Sequence, residues 1–425
     1  MADDIAAAAL NVLLIYLAGS SASVLENVIV EKEQIASAVY YATDYRPDTV
    51  LTFTLSSVAT EKLSEVEGRL HELLRETAAK SLDMDYMLDC VRRQKRQMKL
   101  YAESSGSFFT DSIINDFLFG NRDGSTLRTL GSLKEYDELE SWTDGQWRQF
   151  LKTWISNAPH ISILGVPSAK LSRKIKSDEK ARVAKQKKDL GAEGLKKLEE
   201  KLAEAKAEND KEIPRGLLEK FIVPSTDSIH FIHTTTARSG VARRPERLNN
   251  KIQKIVDEYH SDLPLFIHFE HIPTNFVHLS LVISTGSVPV PLRPLLSLYI
   301  DNFFNTPIMR DGKRIEFEQV VIELEKDTVG YTIESGSSIS NPEVLRVRFQ
   351  VELEKYETAI RWLKEMLWQS IFDETVSNAC HAETLHLTFN RDSRRQQQSF
   401  WQMSQKRSGV VTASASPSLE VRHEI

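Results

Sequence analysis

SAKLSRKIKSDEKARVAKQKKDLGAEGLKKLEEKLAEAKAENDKEIP, residues 168–214, is rich in Lys, Glu and Ala and contains no proline until its last position. Gly191 and Gly194 divide it into two helices. In the second, Leu195, Leu198, Leu202 and Ala205 recur at spacings of three, four and three, which places them on one seam while Lys and Glu cover the other faces. A helical hairpin is therefore expected over a linker at residues 168–226. It reads as a solvated strut rather than a partner-binding coiled coil. Fourteen Lys or Arg stand against ten Asp or Glu between Lys170 and Glu212, a balance that argues against a nucleic-acid patch.

On the N-terminal side of the linker, residues 1–167 read as strands followed by helices. Asp4 to Tyr16 carries Ala and Leu on most faces, the pattern of a buried helix. The Gly19-Ser20-Ser21 turn leads to a second helix from Val24 to Glu33. Alternation over Ala36–Tyr41 and Thr49–Ser57, with Arg46-Pro47-Asp48 between, predicts an antiparallel strand pair. Helices are expected over Glu61–Lys80 and Asp83–Tyr101, with Asp83 as N-cap, and a closing strand over His160–Leu164.

On the C-terminal side, the order of strands and helices over residues 227–376 partly echoes the first segment. Strands are predicted at Ile229–His233, Leu265–Phe269, Phe276–Ser284, Thr328–Glu334 and Leu345–Leu353, with helices at Leu292–Phe304, Glu316–Glu325 and Glu354–Phe372. The fold class is therefore α+β: two related sandwich repeats, each an antiparallel sheet with helices on one face, joined by the charged hairpin. Residues 377–425, with Gln396-Gln397-Gln398 and a Ser-rich end, read as a divergent disordered tail foreign to the fold.

Composition narrows the function classes. The 425 residues carry a net charge of -6, which argues against nucleic acid as the main partner, and 41% hydrophobic residues, enough for a core in each domain. Cys90 and Cys380 are the two cysteines, which fits a reducing compartment and excludes a disulfide framework. The apolar run from Ile5 to Ala18 begins after Asp3-Asp4 rather than Lys or Arg and is shorter than the ~18 residues of a membrane span, so neither export nor membrane insertion is expected. The chain reads as intracellular, and as cytoplasmic unless an upstream targeting segment directs it to mitochondria.

Four stretches occur in order around the hairpin: Leu17-Ala18-Gly19-Ser20-Ser21-Ala22-Ser23-Val24-Leu25-Glu26, Gly120-Asn121-Arg122-Asp123-Gly124-Ser125, Glu179-Lys180-Ala181-Arg182 through Ala207-Glu208-Asn209-Asp210, and Asn302-Phe303-Phe304-Asn305-Thr306-Pro307-Ile308. Together they resemble the presequence-protease branch of the insulinase/pitrilysin zinc metallopeptidases, from about Asp3 to Glu374. The resemblance implies four related α+β repeats in two halves that close around peptides, of which this chain supplies most of the second, the hairpin and much of the third. It also implies zinc held by His-x-x-Glu-His and a distal Glu in the first repeat. That motif is absent here, and the helix over Leu292–Phe304 offers Leu295-Leu296-Ser297-Leu298-Tyr299 in its place. No catalytic, cofactor-binding or metal residue carries over to this chain, and no zinc is expected to bind it.

Several local clusters have simpler readings. His268, Glu270 and His271 lie on a predicted strand, where alternation sends His271 to the opposite face. His381, Glu383 and His386 miss by one residue the spacing that lets two histidines share a helix face, and His230 and His233 sit three apart on a predicted strand. Ser335-Gly336-Ser337-Ser338 lacks the nucleophile elbow of a serine hydrolase. Trp142, Trp147, Phe150 and Trp154 are read as a core stripe rather than a ligand platform. Two functions follow. One is the non-catalytic middle portion of a zinc metalloendopeptidase, with peptide substrates and with the first and fourth repeats supplied in cis or by a partner chain. The other is a non-catalytic relative that binds peptides or serves as a scaffold.

Overall fold

The computed structural model describes residues 4–44, 49–125, 133–220, 225–241, 248–259, 264–336 and 343–372. The tail beyond 372, with Cys380 and the His381, Glu383 and His386 cluster, lies outside the described residues, as do Ser337 and Ser338.

The chain enters through α1 (Asp4–Ala18), whose Val12, Leu13, Leu14 and Leu17 are fully buried. A helix apolar on nearly every side can settle only inside a core, and α1 packs against elements that follow it. A π-helical turn over Glu26–Lys32 leads to β1 (Ala38–Asp44) and β2 (Val50–Ser56), which pair antiparallel from Ala38 opposite Ser56 to Asp44 opposite Val50. Then come α2 (Val66–Ala79) and α3 (Met84–Ser104). Asp83 caps α3 as expected, accepting a 3.0 Å hydrogen bond from the Tyr86 amide. Three further helices are α4 (Phe108–Phe119), α5 (Lys134–Leu139) and α6 (Asp144–Leu151). Another π-helical turn covers Lys152–Ser156.

The charged segment forms α7 (Ala169–Asn209), broken at Gly191, where φ 60 and ψ -173 leave the helical region. Gly191 takes this left-handed φ without the clash a Cβ would meet. Two helical arms thus meet at Gly191, whereas Gly194 lies within a helix. Leu195, Leu198 and Leu202 are all exposed. After α8 (Arg215–Leu218) come β3 (Thr235–Gly240), α9 (Lys251–Glu258) and β4 (Phe266–His271). β3 and β4 pair antiparallel. The other edge of β3 is covered by α9: the Gln253 side chain accepts from the Arg238 amide at 2.8 Å and donates to its carbonyl at 3.0 Å, as a neighbouring strand would.

The chain continues through β5 (Phe276–Ser284), α10 (Leu295–Asn302), β6 (Ile308–Arg310), β7 (Lys313–Ile315), α11 (Phe317–Asp327), β8 (Gly330–Ser335), β9 (Val344–Glu352) and α12 (Tyr356–Trp368). β9 is the central strand of the antiparallel sheet β5-β9-β8. Its Leu345, Val347, Phe349 and Val351 point alternately into the core, while Arg346 and Arg348 face the other way. Asp311 and Gly312, both at positive φ, form the turn between β6 and β7, the pairing a two-residue hairpin favours.

The fold is thus α+β with antiparallel sheets. The described residues before 164 and after 274 form one unit, and Leu164–Thr274 form another. This grouping differs from the expected boundaries at 167, 226 and 376. Residues 227–274 join the charged segment because β3 and β4 pair only with each other, and the two flanking α+β segments share one unit because α3 packs on α11. Two expected strands are absent. His160–Leu164 and Ile229–His233 alternate apolar and polar residues but are extended without a paired strand, with Ile161 and Ile163 exposed above 90%. Alternation alone does not make a strand without a partner to accept its backbone hydrogen bonds.

Candidate functional site

Within the larger unit, a cleft of about 640 Å³ opens where the turn after α1 meets α3, α10, α11 and the β8–β9 sheet. Its walls draw on two of the four stretches quoted above. Ser21 Oγ donates to Asn305 Oδ1 at 3.0 Å across 284 residues of sequence, and Asn27 Nδ2 reaches the Ser21 carbonyl at 3.3 Å. The Gly120–Ser125 stretch instead forms a turn of its own after α4, closed by Asn121 Nδ2 donating to Ser125 Oγ at 3.0 Å.

The turn depends on Gly19. A Cβ there would lie 2.6 Å from the Ile15 carbonyl oxygen and 2.9 Å from the Ile15 Cα, so even alanine forces the end of α1 to shift. Gly19→Ala is expected to lower the unfolding free energy by about 1–3 kcal/mol, measured as a shift in urea midpoint.

At the floor of the cleft, Arg93 on α3 forms an ion pair with Glu325 on α11, the two side chains being 17% and 5% exposed. Arg96 donates to the Glu325 and Lys326 carbonyls, both at 3.1 Å. Burial pushes the Glu325 carboxyl above its usual range, and Arg93, Ser20 and Tyr86 beside it pull it back. Burial likewise raises the Tyr331 phenol. It also raises the Cys90 thiol behind the ion pair, which holds the sulfur in its unreactive protonated form. The cleft thus presents an ion pair, a phenol and the side-chain amides of Gln97, Asn305 and Gln350.

The clusters weighed in the sequence fall elsewhere. His268 Nε2 meets Glu270 Oε1 at 2.7 Å on one face of β4, and Glu270 also accepts from Thr236 at 3.0 Å. These bonds, the one from His268 first, hold the Glu270 carboxyl below its usual value. His271 takes the other face, as alternation predicts. His230 and His233 lie in exposed, extended chain. In the aromatic stripe, Trp147 is fully buried as expected, but Trp142 and Phe150 are only half-buried and Trp154 is 60% exposed. The π-helical turn that follows α6 rotates Trp154 out of the buried face.

A trio absent from the sequence reading does converge: Glu67 and His71 on α2 with His160. The Glu-x-x-x-His spacing was visible in residues 67–71. His160 could not be joined to it without the fold.

No family model matches the chain. It is 30% identical over 378 residues to an uncharacterized protein of Schizosaccharomyces pombe, covering 86% of this chain and 36% of that protein. Over 379 residues it is 27% identical to an uncharacterized protein of Saccharomyces cerevisiae, again 86% of this chain and 36% of the other. An uncharacterized protein of Caenorhabditis elegans is 25% identical over 382 residues, 87% of this chain and 37% of the worm protein. The chain thus spans little more than a third of the length of these relatives. Among the described residues, no helix is long and apolar enough to cross a membrane.

Proposed function

We propose that this chain is the non-catalytic middle portion of a cytoplasmic, zinc-dependent metalloendopeptidase of the insulinase/pitrilysin type, which degrades peptides in a closing chamber. The observation that carries the reading is the meeting of Ser21 and Asn305, from two of the stretches that resemble the family, at the rim of a cleft built by both α+β segments. The match to just over a third of each longer relative supports it. In this reading the chain contributes chamber wall, and the ion pair and amides of the cleft hold extended peptide.

The residues present do not fit the family's catalytic zinc. His-x-x-Glu-His does not occur, and Leu295, Leu296, Ser297 and Leu298 at the start of α10 supply no metal ligand. The step that breaks the peptide bond is therefore assigned to residues outside this chain. The test is to purify the whole fission-yeast relative, together with a chimera carrying this chain in place of the matched segment, and assay both on quenched fluorogenic peptides. Hydrolysis by both, abolished by 1,10-phenanthroline and restored by zinc, is the expected result. A whole relative that cleaves no peptide overturns the reading.

A further inference from the structure

We infer that Glu67, His71 and His160 form a zinc-binding site that clips the chain segment after α6 onto helix α2. This inference is independent of the proposed peptidase role. Glu67 and His71 stand four residues apart on α2, the spacing that puts two side chains on one face of a helix. The π-helical turn Lys152–Ser156 packs against α2 through its buried Ile155 and Ser156. That packing delivers His160, four residues beyond Ser156, to the same face. The His71 and His160 rings lie 4.0 Å apart between centroids, and the ligand atoms of all three residues are within 4.8 Å of one another.

Two features favour a metal over simple ring packing. His71 Nδ1 is buried and has no hydrogen-bond partner among the described residues, which leaves a strong acceptor or donor unsatisfied unless something ligates it. The donor set of two imidazoles and a carboxylate also suits Zn²⁺, with water completing the tetrahedron. Zinc bonds of about 2.0–2.2 Å bring tetrahedral ligand atoms to roughly 3.3 Å from one another, so closure takes at most about 1.5 Å. Exposed His160, on extended chain, can supply that movement by side-chain rotation. Arg75 lies near His71 and opposes a cation, while Glu67 favours one.

The test uses the full 425-residue chain without a histidine tag, stripped with EDTA and titrated with Zn²⁺ against a chromophoric chelator. One equivalent is expected to bind, and Co²⁺ in its place is expected to give the visible bands of a tetrahedral site. His160→Ala changes an exposed residue and spares the core. It is expected to weaken zinc binding at least tenfold, as is His71→Ala, while His268→Ala leaves it unchanged. Retained circular dichroism identifies folded variants. Zinc bound below half an equivalent overturns the inference, as does equal affinity in wild type and folded His160→Ala.

Discussion

Arg93→Ala is expected to destabilise the larger unit by about 3–5 kcal/mol, because it leaves the Glu325 carboxylate buried without its cation. The pair joins α3 to α11 across 232 residues, so its loss loosens the packing of one α+β segment on the other. Replacing both residues by methionine removes the uncompensated charge as well as the attraction. The double variant is therefore expected to regain most of the stability lost by Arg93→Ala, measured by urea unfolding followed through tryptophan fluorescence. The effect should depend on pH in a defined sense. Burial already raises the Glu325 carboxyl, and a carboxyl with a raised folded-state value contributes stability on the acid side that is lost as pH rises through that value. Without Arg93 the carboxyl rises further and folds protonated. The destabilisation should thus be smaller at pH 5 than at pH 8. An equal loss at both values would show that Glu325 is not the charge left uncompensated.

Trp362→Ala should have a similarly large effect, about 3–5 kcal/mol, because the side chain is fully buried in the core that Phe303, Leu324, Val347, Phe349 and Met366 share. Its indole N–H donates to Asp327 Oδ2 at 3.0 Å, and the Arg310 guanidinium sits 4.9 Å over the ring. Arg310 is itself held by Glu365 at 2.9 Å and Glu323 at 2.7 Å, so the indole packs beneath a fixed cation. Trp362→Phe keeps the apolar ring but removes the N–H. It is expected to cost about 1–2 kcal/mol, and the difference between the two variants separates cavity from hydrogen bond. A Trp362→Ala variant with an unchanged urea midpoint would contradict the full burial of the indole on α12, which packs on β9.

The sequence showed most where structure is local. Apolar residues on most faces of Asp4–Tyr16 marked a buried helix, which runs on to Ala18, and Asp83 marked the start of α3. Alternation in Phe276–Ser284 marked one strand, the strand expected over Leu345–Leu353 runs from Val344 to Glu352, and the two pair over their full length. The same alternation failed at His160–Leu164 and Ile229–His233, where no strand lies alongside. It also could not indicate that the stripe from Trp142 to Trp154 leaves the core at its last member, because a π-helical turn shifts the phase of the helix after Leu151.

What the sequence determined by itself was the α+β class, the buried first helix and the charged helical segment, of whose two expected dividing glycines only Gly191 breaks the helix. Each of these depends on side chains within about four residues of one another, where propensity and periodicity act. Only the tertiary structure joined Ser21 to Asn305, Arg93 to Glu325, and His71 to His160. These pairs are separated by 284, 232 and 89 residues, and no local period encodes them. The first two arise because burying α1, α3 and α11 in one core fixes which polar groups face one another in the cleft, and the third because the turn Lys152–Ser156 packs on α2.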